Sequence, residues 1–193
     1  MDTASKLLSV SAALSGVECI YLLDWFARRE WRAGAASIAK GPLVKNWPAL
    51  ILFLILVVGG GLTIGFLTAP GAWYAGLAKP SFNPPGWIFG PVWTVLYVLI
   101  AVAGWRTFER DRSGWPMRLW WAQLVLNFAW SPAFFAAHQI ALALGIILLL
   151  LAAILAFIGA CWRQDRVAAW LFVPYAAWVG FASALNAAIL ALN

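Results

Sequence analysis

The sequence predicts an all-α membrane protein: a bundle of five transmembrane helices with a long structured loop between helices 1 and 2. Three observations point there. The chain has 193 residues, of which 64% are hydrophobic and only 10% charged, whereas a soluble domain carries roughly a quarter charged residues. Mean hydropathy is +0.86. Five apolar runs follow residue 46, each close to the roughly 20 residues a helix needs to cross hydrocarbon, and none alternates apolar with polar residues as a barrel strand does.

The first run extends from Trp47 to Leu67, with Asn46 placed to cap it and Pro48 in its first turn, where a missing N–H is harmless. The second runs from Trp87 to Trp105, the third from Met117 to Ala137, the fourth from Ile140 to Trp162 and the fifth from Ala168 to Leu192. Lys40, Lys45, Arg106, Arg110, Arg112, Arg118, Arg163 and Arg166 fall at one end of these runs, and Lys79 alone at the other. For ordinary insertion into a cytoplasmic membrane, that bias places the N-terminus inside. The net charge of +6 is therefore a topology signal scattered through loops, and nucleic acid is not an expected partner. Membrane lipid is. Cys19 and Cys161 lie far apart with no ligand-like spacing, so neither a disulfide framework nor a metal site is expected.

Residues 1–45 differ from the rest, and the chain divides into an extension over 1–45 and a transmembrane domain over 46–193. Leu7, Val10, Leu14, Val17 and Tyr21 share one helical face and Ser11, Ser15 and Glu18 another, as in an interfacial amphipathic helix. A basic tether at Arg28, Arg29 and Arg32 follows. Glu18 disfavours a span, and the lone Lys6 with no clear small-residue cleavage site disfavours a signal peptide.

Between the first two runs, Pro70–Gly86 carries Pro70, Pro80, Pro84 and Pro85, which stiffen it. A long, stiff loop between membrane helices suits a cover over a site, or else a plug that only packs the end of the bundle.

The fourteen tryptophans sort by depth. Trp47, Trp105, Trp115, Trp162 and Trp170 fall at the basic boundary, Trp73 and Trp87 at the opposite one, and Trp25 and Trp31 in the extension. All nine are explained as interfacial anchors. Trp120 and Trp121 stay unassigned between packing and belt. Trp93, Trp130 and Trp178 lie deeper. Trp93 shares a helix face with Tyr97; Trp130 with Gln123, Asn127 and Phe134; Trp178 with Tyr175, Ala182 and Asn186. At about 1.5 Å per residue, these groups sit between the midplane and the loop. Two readings stay open: interhelical hydrogen bonding by the amides, or an apolar pocket for a flat hydrophobic ligand.

Other signals are weaker. His138, the only histidine, reads as a turn residue. Gly61-x-x-x-Gly65 and the Gly180, Ala184, Ala188 series permit close helix approach. The five runs contain no Asp or Glu, which argues against proton-coupled transport. No nucleophile–base pair suggests hydrolysis.

Three stretches carry a family resemblance. They are Trp73-Tyr74-x-x-Leu77-x-Lys79-Pro80-x-x-x-Pro84-Pro85-x-Trp87-x-Phe89-x-Pro91-Val92-Trp93-x-x-Leu96-Tyr97, then Gln123-Leu124-x-x-Asn127-x-x-Trp130-Ser131-Pro132-x-Phe134-Phe135, then Phe172-Val173-Pro174-Tyr175-x-x-Trp178-x-x-Phe181-Ala182-x-x-Leu185-Asn186. In this order they resemble the TspO/MBR family, the tryptophan-rich sensory proteins related to the mitochondrial translocator protein or peripheral benzodiazepine receptor. The resemblance covers roughly Asn46–Asn193 and not residues 1–45.

It implies a five-helix bundle, usually a homodimer, with a pocket beneath the first loop. Family ligands are porphyrins (tetrapyrroles such as protoporphyrin IX or haem), sterols and isoquinoline-type compounds; no cofactor is required. By motif position Trp93, Asn127, Trp130, Trp178 and Ala182 are expected to contact ligand, with Tyr97 and the loop residues Trp73, Phe82 and Pro84. Phe134 and Tyr175 join them as neighbours on the same helix faces. The function implied is a membrane receptor or sensor concerned with tetrapyrrole handling or transport. The alternatives are light-dependent porphyrin degradation through Trp93 and Trp178, which would then be the catalytic residues, or a porphyrin transporter. Some family members are found in outer membranes, so the resemblance leaves the membrane open. The family's cholesterol pattern needs a basic residue shortly after a tyrosine, and none follows Tyr175.

Overall fold

Asn46 opens the first long helix. Its side-chain oxygen accepts from the Ala49 N–H at 3.4 Å, and Pro48 occupies the first turn. The computed structural model describes Asn46–Asn193; the interfacial helix and tether expected over residues 1–45 lie outside the described residues. Helix α1 covers Trp47–Leu67 and passes through a wider π-helical turn at Ile55–Gly59. The short α2, Ala72–Gly76, lies in the loop. Helix α3, Phe89–Arg110, is entered through a 3-10 turn at Gly86–Ile88. Helix α4, Trp115–Ser131, runs on into a π-turn at Pro132–Ala136. Helices α5, Ile140–Cys161, and α6, Arg166–Leu192, complete the described chain, which contains no strand.

Four of these runs are long and apolar enough to cross a membrane: Trp47–Leu67, Gly86–Arg110, Ile140–Cys161 and Arg166–Leu192. The remaining expected span, 117–137, which the structure forms as a helical run over 115–136, is not among them. Gln123, Asn127, Ser131 and the tryptophans Trp120, Trp121 and Trp130 dilute its apolar character. By composition the count is therefore four, although 115–136 is as continuous a helical run as the others.

Helix α5 packs between α4 and α6, α6 also packs on α3, and α1 lies along α3. The end of the bundle nearer the arginines is solid. Trp120 is fully buried there and donates its indole N–H to the Ile100 carbonyl at 3.0 Å. Its ring fills the space left by Gly104, where a Cβ would overlap it. Phe53 meets Trp120 edge-on at 4.9 Å, and Phe157 lies 4.1 Å from Phe172. Burying such aromatic faces stabilises each contact by about 0.5–1.5 kcal/mol beyond area alone.

Asp165 ties this end together. Only 4% exposed, it caps α6 by accepting from the Val167 and Ala168 N–H groups. It also accepts from Arg106 Nε and Nη2 at 3.1 and 3.0 Å and from Arg110 Nε at 3.0 Å. Burial pushes its carboxyl up, but the Arg106 hydrogen bond, the Ala168 N–H and the charges of Arg106 and Arg110 together hold it below its ordinary value. Two residues read from sequence only as topology signals thus also clamp α3 to α6. Outward-facing Leu52, Ile55, Val95, Val125, Leu148 and Leu155 give the bundle the apolar exterior that lipid requires.

Candidate ligand-binding site

The loop end of the bundle is hollow. A cavity of about 510 Å3 lies between α1, α3, α4 and α6, beneath Pro70, Tyr74, Asn83 and Pro84 of the loop. That volume falls within the ~300–1,000 Å3 range of small-molecule sites. From α3 it receives Phe89, Trp93 and Tyr97; from α4 Asn127, Phe128, Trp130, Ser131 and Phe134; from α6 Trp178, Ala182, Leu185, Asn186 and Ile189. Helix α1 supplies Gly61, Leu62, Ile64, Gly65 and Phe66, of which Phe66 is 85% exposed, so this wall borders the bundle's exterior.

The loop is pinned by polar contacts. Tyr74 Oη donates to Asn83 Oδ1 at 3.4 Å, and burial pushes its phenol above the ordinary value. The Lys79 ammonium caps the Ala75 and Leu77 carbonyls and lies 4.7 Å from the centre of the Tyr74 ring. Asn193 accepts from the Ala78 N–H at 3.0 Å and donates to the Ala78 and Ile189 carbonyls, fastening the loop to the end of α6. Thr68 and Ser131 share a 2.6 Å hydrogen bond that joins α1 to α4 at the rim.

Two amide systems stand behind the aromatic wall. Trp130 Nε1 donates to Asn186 Oδ1 at 3.2 Å, and Asn186 Nδ2 donates to the Ile140 carbonyl at 3.1 Å. Asn127 Nδ2 donates to Tyr175 Oη at 2.8 Å, and Tyr175 donates to Gln123 Oε1 at 3.0 Å. Two buried donors, Gln123 Nε2 and Trp178 Nε1, have no partner among the described residues. The two readings left open by the sequence therefore coincide: amides that cross-link helices also border a pocket.

Of the residues expected at a site, Trp93, Tyr97, Asn127, Trp130, Phe134, Trp178, Ala182 and Pro84 line this one cavity. Tyr175, Trp73 and Phe82 do not. Tyr175 is fully buried in the core, because its hydroxyl reaches Gln123 as well as Asn127. Trp73 stacks on His138 at 4.1 Å and meets Phe134 edge-on at 5.8 Å, backing the wall from outside. His138 adopts φ 56°, the left-handed conformation that ends the π-turn after α4. Phe82 is exposed and touches Phe181 edge-on at 6.3 Å.

Several wall residues were not singled out from sequence. Tyr74 and Phe89 stood in the first motif without a role, and Asn83 gave no signal beyond residue type; nor did Asn193, which fastens the loop without lining the cavity. Gly61 was read as a helix-packing glycine; a Cβ there would overlap the Tyr97 ring, so its absence lets Tyr97 lie flat against α1. Gly65 and Gly180 face open space.

A sequence profile of the TspO/MBR family matches residues 52–192. The chain belongs to the TspO/MBR family. It is 37% identical over 148 residues to the tryptophan-rich sensory protein of Cereibacter sphaeroides, covering 77% of this chain and 93% of that one. It is 39% identical over 156 residues to the tryptophan-rich protein TspO of Chlorobaculum tepidum, covering 74% and 97%. The human translocator protein is similar at 40% over 119 residues, 59% of this chain and 70% of that protein. Family membership and the apolar helices make the chain a multi-pass integral membrane protein.

Proposed function

We propose that this protein is a membrane receptor or sensor that takes porphyrins and related flat hydrophobic ligands into the cavity beneath its loop. The supporting observation is that Trp93, Trp130 and Trp178, from three different helices, border one cavity of about 510 Å3. Indole faces stack on extended π systems, and a mostly apolar wall with a few polar groups orients such a ligand. In this proposal 115–136 is the fifth membrane-spanning helix, since its amides face the bundle instead of lipid. The protein acts as a homodimer in a bacterial cytoplasmic membrane with its N-terminus inside, the orientation that the positive-inside bias supports.

The test is titration of detergent-purified protein with protoporphyrin IX while tryptophan fluorescence is read. Quenching should saturate. Replacing both Trp93 and Trp178 with Ala should weaken binding by about tenfold or more, from two lost stacking contacts. An unchanged affinity sinks the cavity assignment.

Trp93 and Trp178 bordering the same cavity also favours one second reading, photo-oxidative porphyrin breakdown through these indoles. Illumination of the complex in oxygen separates it from the receptor. Loss of porphyrin no faster than in free solution removes the enzyme reading.

A further inference from the structure

Gln123, Tyr175 and Asn127 form a hydrogen-bonded chain that begins in the core and ends at the cavity. Asn127 Nδ2 donates to Tyr175 Oη at 2.8 Å, and Tyr175 donates onward to Gln123 Oε1 at 3.0 Å. Gln123 and Tyr175 are 0% exposed, and of the three only Asn127 lines the cavity.

Proton counting shows what this chain controls. A phenol has one proton to give. With Gln123 receiving it, Tyr175 can only accept from Asn127, which commits Asn127 Nδ2 to the core. Asn127 Oδ1, which accepts no hydrogen bond from the described residues, is then the atom left for the cavity.

The chain also has a second direction. Gln123 Nε2 is buried without a partner among the described residues, so the observed direction leaves one strong donor unsatisfied. If both amides turn over, Gln123 Nε2 donates to Tyr175, Tyr175 donates to Asn127 Oδ1, and Asn127 Nδ2 faces the cavity. Each direction makes two hydrogen bonds and leaves one Gln123 atom unpaired, an N–H in the first and a C=O in the second. Orphaned N–H groups are the rarer of the two. Neither direction has a clear advantage in bond count, so a ligand's own polar atom can decide between them.

We propose that Gln123–Tyr175–Asn127 is a reversible polarity relay that lets the cavity meet either a hydrogen-bond donor or a hydrogen-bond acceptor on a flat apolar ligand. The proposal rests on the cavity being the ligand site. Gln123 and Tyr175 act as positioning residues, since neither reaches the ligand.

The test uses three flat tricyclic probes with purified full-length protein: carbazole, which donates through N–H; acridine, kept neutral at pH 8, which accepts through its ring nitrogen; and fluorene, which does neither. Wild type should bind carbazole and acridine each about fivefold tighter than fluorene, the worth of one neutral hydrogen bond. Asn127→Ala should bring both down to fluorene. Gln123→Met removes the core acceptor, so Tyr175 must give its proton to Asn127 Oδ1, locking Nδ2 towards the cavity. Acridine should then keep its advantage while carbazole loses it. Tyr175→Phe cuts the chain, frees Asn127 to rotate, and should leave both advantages in place.

A merely structural role for Gln123 would weaken all three probes together. An equal loss for carbazole and acridine in Gln123→Met, or no loss for either, overturns the relay. Should Gln123→Met fail to fold, Gln123→Leu imposes the same lock and is read in the same way. If Trp93→Ala with Trp178→Ala leaves all three affinities unchanged, the probes sit elsewhere, and the cavity reading falls together with the relay.

Discussion

Trp130 gives its indole proton to Asn186 Oδ1 across 3.2 Å, joining α4 to α6 at the edge of the cavity. Asn186 is 2% exposed and donates one of its own amide protons to the Ile140 carbonyl at the start of α5. One amide therefore holds three helices and sets the angle at which the Trp130 ring stands beside Phe134, 5.4 Å away.

Replacing Asn186 with Leu should remove both bonds and leave the Trp130 N–H without a partner, while the Ile140 carbonyl keeps the helical N–H of its own turn. Orphaning one buried donor and losing the second bond costs about 1–3 kcal/mol. Thermal unfolding in detergent should show the drop, and porphyrin affinity should fall with it because Trp130 is no longer held. An Asn186→Leu protein with wild-type melting would show that the amide is not a structural bridge.

Gly61 lies so close to Tyr97 that any side chain there displaces the ring. Gly61→Ala should push Tyr97 into the cavity, lowering stability by about 1–3 kcal/mol and weakening ligand binding. Gly59, in the same helix, faces open space, so Gly59→Ala should change neither. The pair of variants, compared by melting and by titration, separates a steric effect from a general effect on helix α1.

The Asp165 clamp should show in the pH dependence. Its folded carboxyl is held below the ordinary value, so its stabilisation is complete above the unfolded carboxylate value of about 3.9 and fades as pH falls through the lowered folded one. Melting temperature should fall below about pH 4 in wild type, and this step should be smaller in Asp165→Ala. At neutral pH that variant should lose about 2 kcal/mol from the lost cap and arginine bonds, discounted because both guanidinium groups are partly exposed.

Asn193 makes two hydrogen bonds to Ala78 that hold the loop against the end of α6, and a third to the Ile189 carbonyl that fixes its own side chain. Asn193→Ala should loosen the cover with little effect on the core, since both bonds to Ala78 are exposed. Dissociation of bound protoporphyrin IX should speed up by about three- to tenfold, as expected for roughly 1 kcal/mol of lost closure. Stopped-flow fluorescence measures it; an unchanged off-rate means the cover does not gate release.

Much of the architecture was legible in the chain. Apolar runs of the right length announced α1, α5 and α6 to within two residues, and Asn46 with Pro48 marked where α1 begins. Helix α3 was announced too, but it runs five residues past the expected Trp105 to Arg110, because its last turn is polar and left no apolar signal. The sequence also offered 117–137 as a fifth apolar span equal to the rest; the helix is there, but it is less apolar than the other four, because the residues that border the cavity and feed its hydrogen bonds are polar or tryptophan. Trp47, Trp87, Trp115, Trp162 and Trp170 are exposed, as boundary residues should be. Trp120 and Trp121, two neighbours that composition could not separate, part completely: one is wholly buried and the other faces outward. Helical phase decides this, together with the gap at Gly104.

The chain alone sufficed for the membrane class, the helix order, the family and the three deep tryptophans, because hydropathy, spacing and motif order are local properties. Only the tertiary structure decided which side chains share a cavity and which support it from behind. Tyr175 lies on the same helix face as Trp178, yet its hydroxyl reaches Gln123 and so it stays in the core. Trp73 stands in the same loop motif as Pro84, yet it stacks on His138, more than sixty positions along the chain. Those outcomes turn on contacts between distant segments, and a long-range partner leaves no mark in the spacing of either segment alone.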